Sequence, residues 1–172
     1  MVANAHQIDF RDVEPAEWTH CETATQAAQT AFPVLPADEL SSYFELNDVN
    51  SVALGVRLSP DTEVEALADR LDQIALIEVD FPAYTDGRGY SQARVLREHM
   101  GFQGELRAVG DVLIDQLRFM KRCGFDVAVL ADHVDPDDAE AALKRYGVWY
   151  QPAADDRPPA HRLRRFVQNW EI

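Results

Sequence analysis

Apolar residues in this chain gather into short runs separated by stretches of helical spacing, and the alternation is clearest between residues 51 and 147. Ser51-Val52-Ala53-Leu54-Gly55-Val56-Arg57-Leu58 reads as a buried strand. Ser59-Pro60 is expected to open a helix, because a serine oxygen accepts free amides at a helix start and proline has no amide to lose there. Val64, Leu67, Ala68 and Leu71 then follow at helical spacing. Ala75-Leu76-Ile77-Glu78-Val79-Asp80-Phe81 is the next strand, and Gly87 to Met100 a turn and helix burying Ala93, Leu96 and Met100. Gly104-Glu105-Leu106-Arg107-Ala108-Val109-Gly110 is a third strand. Asp111 is expected to cap a helix from Val112 to Cys123, which Gly124 ends in a left-handed conformation. Asp126 to Ala131 is a fourth strand, and Asp135-Pro136 starts a helix ending near Tyr146.

Strands alternating with helices through short loops imply parallel β-α-β units, since parallel neighbours need a crossover. The expected fold class is therefore α/β, with a mostly parallel sheet of four or five β-α units. The chain is too short for a closed eight-fold barrel, which takes about 250 residues, so half-barrel-like and flavodoxin-like arrangements both fit. Residues 1–50 are irregular in pattern, with the apolar piece Phe32 to Pro36, room for one early strand, and a helix from Ala37 to Leu46. A single α/β domain over 1–150 with its core at 51–147 is expected. Residues 151–172 read as an extended linker and a tail, because Gln151 to Pro159 is rich in proline and acid. His161, Arg162, Arg164, Arg165, Phe166 and Trp170 make that tail basic and partly apolar, suited to folding back on the acidic body or docking on a partner chain.

Charge narrows the function classes. Lys and Arg number 16 against 30 Asp and Glu, a net charge of −14. Nucleic-acid binders neutralise phosphates with a basic face, so no nucleic acid is expected, and anionic membranes are opposed in the same way. No apolar run approaches the roughly 20 residues of a membrane span, and the N-terminus carries no secretory pattern. Cys21 and Cys123 form no metal or disulfide spacing. A cytoplasmic protein with reduced thiols is the expectation.

Ligands of parallel α/β sheets bind outside the carboxyl ends of the strands. The loops there contain Ser59, Tyr84 to Tyr90, Asp111 and Asp132-His133. In Asp86-Gly87-Arg88-Gly89, two glycines flank one arginine directly before a helix. Free amides at such a start favour an anion, and an arginine grips an oxyanion with two parallel hydrogen bonds. Arg88, Gly89, Tyr90 and Ser91 are thus the candidate anion site, and Asp86 and Arg88 the candidate catalytic residues. The same residues also fit a structural turn in which Asp86 caps and Arg88 pairs with a surface acid. Arg107, a charge inside a strand, either pairs with Glu78 or Asp80 or points to the site as a second clamp. The loop is neither GxGxxG nor GxxxxGK[ST], so there is no dinucleotide or P-loop fingerprint. A flavin stays open, because flavin sites need no single short motif. No metal spacing is present, and His133 is a lone loop histidine.

Phe81-Pro82-Ala83-Tyr84-Thr85-Asp86-Gly87-Arg88-Gly89-Tyr90-Ser91-Gln92-Ala93-Arg94, then Leu96-Arg97, Gly104 to Val112, Asp115-Gln116-Leu117 and Arg122-Cys123-Gly124-Phe125-Asp126, resemble the bacterial family called domain of unknown function 934. The dense resemblance covers about residues 81–126 and reaches back weakly to Gly55-Val56-Arg57-Leu58. Ala128 departs from it, standing where the family usually has an aromatic. Members are commonly encoded beside sulfite reductase and the reductase for activated sulfate, and are often labelled oxidoreductases of sulfite reduction. The resemblance therefore implies a role in assimilatory sulfite reduction and names no catalytic residue.

Two functions of different class follow. One is an accessory protein acting by contact with sulfite reductase or its electron donor. The other is a small-oxyanion-binding enzyme or oxidoreductase using the Asp86-Arg88 loop, with thiol redox at Cys123 as a variant. A homodimer that completes a half-barrel is a third reading.

Overall fold

The structure, a computed structural model, describes residues 7–10, 17–46, 53–145, 147–154 and 158–167, with side chains described up to residue 163. One sheet of seven strands organises it. In chain order the strands are β1 (Gln7–Asp9), β2 (Thr19–His20), β3 (Pro33–Pro36), β4 (Leu54–Leu58), β5 (Ile74–Phe81), β6 (Glu105–Gly110) and β7 (Val127–Val129). The helices are α1 (Ala24–Ala27), α2 (Leu40–Leu46), α3 (Arg88–Arg94), α4 (Leu117–Cys123), α5 (Pro136–Lys144) and α6 (Ala160–Val167).

Strand order is β1-β7-β6-β5-β4-β3-β2. From β2 to β7 every neighbouring pair is parallel, and β1 closes the far edge antiparallel to β7. A monotonic order has no reversal, which a flavodoxin-like sheet requires at its ligand crevice. The sheet instead curls into a half-barrel. Seven strands replace the expected four or five: β1, β2 and β3 are two to four residues each, too short to show a period, and all lie in the stretch that looked irregular.

Alternation of side chains across a strand separates two faces. Leu35, Val56, Leu58, Ile77, Val79, Phe81, Leu106 and Ala108 pack with helix residues such as Ala93, Leu96, Leu117, Met120 and Ala139 in one apolar cluster. Val34, Arg57, Leu76, Glu78, Arg107 and Val127 occupy the other face. There Gly55 is pinched: a Cβ would stand 2.8 Å from Val34 Cγ2 and 3.3 Å from Leu76 Cδ2. The missing side chain lets the two neighbours close over the strand on the inner side of the curl.

Two helix starts differ from expectation. After β4 the chain turns, with Thr62 N donating to Ser59 O and Ser59 N to Thr62 Oγ1. Ser59 is thereby engaged in a turn, and a 3₁₀-helix begins only at Val64 and runs to Gln73. Three-residue turns bury Val64 and Leu67 and leave Ala68 exposed. Asp111 does not cap α4, which starts at Leu117. Its carboxylate instead accepts from Tyr84 N at 3.0 Å. Gly124 does end α4 with φ 98°, and Asp135 caps α5 with Pro136 in the first turn. α5 ends at Lys144, and Tyr146 lies outside the described residues. α3 continues into a π-helical turn over Val95–His99. The linker is fastened: Arg122 donates to Gln151 O, and Ala154 N to Arg122 O. Among the described residues no helix is long and apolar enough to cross a membrane.

Candidate functional site at the carboxyl edge

β5 ends at Phe81, and the loop that follows is shaped by its own short-range bonds. Asp86 N donates to Ala83 O, and Asp86 Oδ1 accepts from Arg88 N at 3.1 Å. Gly89 brings α3 down onto β5: a Cβ there would lie 2.6 Å from Phe81 Cζ and 2.9 Å from Val79 Cγ1. Glycine is required by this close approach, because Gly89 is the first point of α3 to touch the sheet. Gln92 fastens the same helix to the β4 loop, donating to Ser59 O and Thr62 O at 2.9 Å each. Its Oε1 is buried without a hydrogen-bond partner among the described residues.

Arg88 is engaged on both sides. Its Nε and one terminal nitrogen donate to Asp86 at 3.0 and 2.7 Å, and the other terminal nitrogen pairs with Asp61. The side-chain hydrogen bonds from Arg88 hold the Asp86 carboxyl below the usual carboxylate range, and the same bonds raise Arg88. The guanidinium already has two carboxylates where an oxyanion would sit.

Around the start of α3 lies a run of aromatics. Tyr84 is set by backbone bonds to Asp111 and to Gln116, whose Nε2 donates to Tyr84 O at 3.0 Å. Its ring is 60% exposed. Tyr90 packs on Phe81, 5.1 Å between centroids, and edge-on against Phe119 at 4.8 Å. Phe119 on α4 is 54% exposed. Burial, with smaller effects from Cys123 and Asp115, pushes the Tyr90 hydroxyl up to about 12. Ser91, Asp132 and His133 are exposed.

Arg107 does not join Arg88. α3 sits on the Val79 and Phe81 side chains of the helix-covered face, whereas Arg107 stands beside Glu78 on the inner face. There Arg107 donates to Glu105 Oε1 at 2.9 and 2.6 Å and lies 3.5 Å from Glu78 Oε1. The other Glu78 oxygen meets His20 Nε2 at 2.8 Å. Arg57 and Asp80 pair on the same face at 2.9 Å. Of the two expectations for Arg107, it is the pairing with Glu78 that the structure holds. His20, Asp61 and Gln92 carried no local signal, because their partners are 27 or more residues away in the chain; Glu105, two residues before Arg107, was a local partner that the sequence reading passed over.

Cys123 is buried, and burial pushes its thiol up to about 11. A reactive thiol needs the opposite shift and access to solvent. Cys21 is buried as well, with weak sulfur contacts to Thr19 O and Thr30 Oγ1.

Residues 55–161 match the family described as bacterial protein of unknown function (DUF934), more than half of the chain, and the protein belongs to that family. No curated protein matches the chain.

Proposed function

We propose that the protein works by contact, as an accessory protein of assimilatory sulfite reduction that presents its carboxyl edge to sulfite reductase or to its electron donor. The observation that carries this reading is the state of the loop: Arg88 is held by Asp86 and Asp61, while Tyr84 and Phe119 project into water beside it. Aromatic side chains are the usual anchors of protein interfaces. Asp61 and Asp86 hold Arg88, Asp111 accepts from Tyr84 N and Asp115 stands near Tyr90, an acidic edge that suits a basic partner face and steers its approach. The sulfur assignment is supported by family membership, through the role the sequence resemblance implies.

The second reading is a small-oxyanion-binding enzyme or oxidoreductase centred on Asp86 and Arg88. Exposed Ser91 in the first turn of α3 favours it, but Arg88 must first leave two carboxylates. Affinity capture from sulfate-grown cells separates the two. Contact predicts that the tagged protein retains sulfite reductase or its electron donor, and that Tyr84→Ser with Phe119→Ser loses it. Retention of neither protein by the wild type contradicts the proposal.

A further inference from the structure

A second surface lies at the other side of α4. Residues 147–154 run along that helix without forming a helix or strand of their own. Trp149 is turned inward, with the Arg118 and Arg122 guanidinium carbons 4.9 and 4.5 Å from its ring centre. Arg122 donates to Gln151 O at 2.5 Å, Ala154 N to Arg122 O at 3.2 Å, and Ala160 N to Trp149 O at 2.6 Å. The segment is therefore fixed in place, and the start of α6 is fixed beside it.

The residues on either side of Trp149 are open to solvent. Val148 is 62% exposed and Tyr150 80%, the two most exposed large apolar side chains among the described residues. Single exposed apolar residues are ordinary. Two of them flanking an inward tryptophan on a fastened backbone form an ordered anchor pair, whose ordering entropy is already spent before a partner arrives.

Charge says what the pair faces. Lys144 and Arg145 precede it in the chain, and His161 and Arg162 follow Ala160, whose amide donates to Trp149 O; all four are exposed, and among them Lys144 has a described acidic partner, Glu140. From Lys144 to Arg165 the sequence holds six Lys and Arg against two Asp, a net of +4 in a protein of net −14. This is a basic stretch of an acidic chain, and it is the part of the sequence that the carboxyl-edge reading leaves unused.

We propose that this surface docks an acidic peptide segment of a partner protein, with Val148 and Tyr150 packing on its apolar side chains and Arg145 and Arg162 pairing with its carboxylates. The segment has the opposite charge to the partner of the carboxyl edge, so the two surfaces select different proteins and the molecule can hold both at once. The inference stands independently of the carboxyl-edge reading.

The test is NMR titration of the ¹⁵N-labelled full chain with a synthetic peptide of alternating glutamate and leucine. The proposal expects shifts in the Trp149 indole and in amides 145–162, with amides 84–90 unmoved. Val148→Ser with Tyr150→Ser, and separately Arg145→Glu with Arg162→Glu, should each weaken binding about tenfold or more at unchanged melting temperature, since all four side chains are exposed. Unchanged affinity in the serine pair overturns it. So does tighter binding of a DNA oligonucleotide at these residues, or shifts there that depend on protein concentration without peptide, which assign the patch to nucleic acid or to a second copy.

Discussion

Arg88 and Asp86 form a fork across one glycine, the Nε and a terminal nitrogen of the arginine reaching the two carboxylate oxygens at 3.0 and 2.7 Å. Asp61, 27 residues earlier, completes the set from the β4 loop. The arginine thus ties two edge loops together, while the backbone of Tyr84 is held beside it by Asp111 and Gln116.

That fork has an acid limit. Asp86 has a lowered folded value, so the unfolded chain binds the proton more readily, and the contribution is present above the unfolded value of about 3.9. It disappears as pH falls through the folded value. The melting-temperature difference between wild type and Asp86→Asn should therefore be constant above about pH 5 and shrink as the pH falls below the ordinary carboxylate range through the lowered folded value. A difference that persists unchanged at pH 2 removes the fork from the account.

Gly89 and Gly87 make a matched pair. A Cβ at Gly89 meets Phe81 and Val79 below 3 Å, whereas at Gly87 its nearest neighbour is Tyr90 Cδ2 at 3.9 Å. Gly89→Ala should destabilise by about 1–3 kcal/mol through overpacking, and Gly87→Ala by much less. Urea unfolding of both variants checks the ordering.

On the inner face Glu78 is 1% exposed and depends on Arg107 and His20. Arg107→Met leaves Glu78 with reduced compensation, and loss of one partner of a buried pair costs about 3–5 kcal/mol. Adding Glu78→Gln to Arg107→Met should recover part of the loss. Equal stability of single and double variants in chemical denaturation argues against coupling.

Cys123 gives an alkaline limit. Its folded value is raised to about 11 by burial, so the native state keeps the proton that the unfolded chain releases near 8.5. Stability linked to this thiol is complete below about pH 8.5 and lost as pH rises towards 11. Cys123→Ala should flatten that decline. Native protein should also resist iodoacetamide at pH 8 until it is unfolded; rapid native labelling at Cys123 would reopen thiol chemistry.

The central strands were legible because β4 to β7 are apolar runs bounded by turn residues, and Gly124 and Asp135-Pro136 carry helix signals that act locally. Ser59 and Asp111 carry the same type of signal, yet Thr62 and Tyr84 take their hydrogen bonds, so a capping residue was read where a loop clasp exists. β1 has meaning only beside β7, more than a hundred residues away. At the site, the Asp86–Arg88 turn was visible as an alternative because its partners are two residues apart. His20 and Glu78 are 58 apart, and no local pattern joins them.

Growth of a deletion strain on sulfate, sulfite, sulfide or cysteine tests contact at the carboxyl edge most directly. The strain is complemented with wild type, with Tyr84→Ser and Phe119→Ser together, or with Arg88→Ala. The account predicts failure on sulfate and sulfite, rescue by sulfide, restored growth with wild type, no restoration with the aromatic pair, and partial restoration with Arg88→Ala. Full growth with the aromatic pair and none with Arg88→Ala would contradict it and place the function in the arginine loop itself.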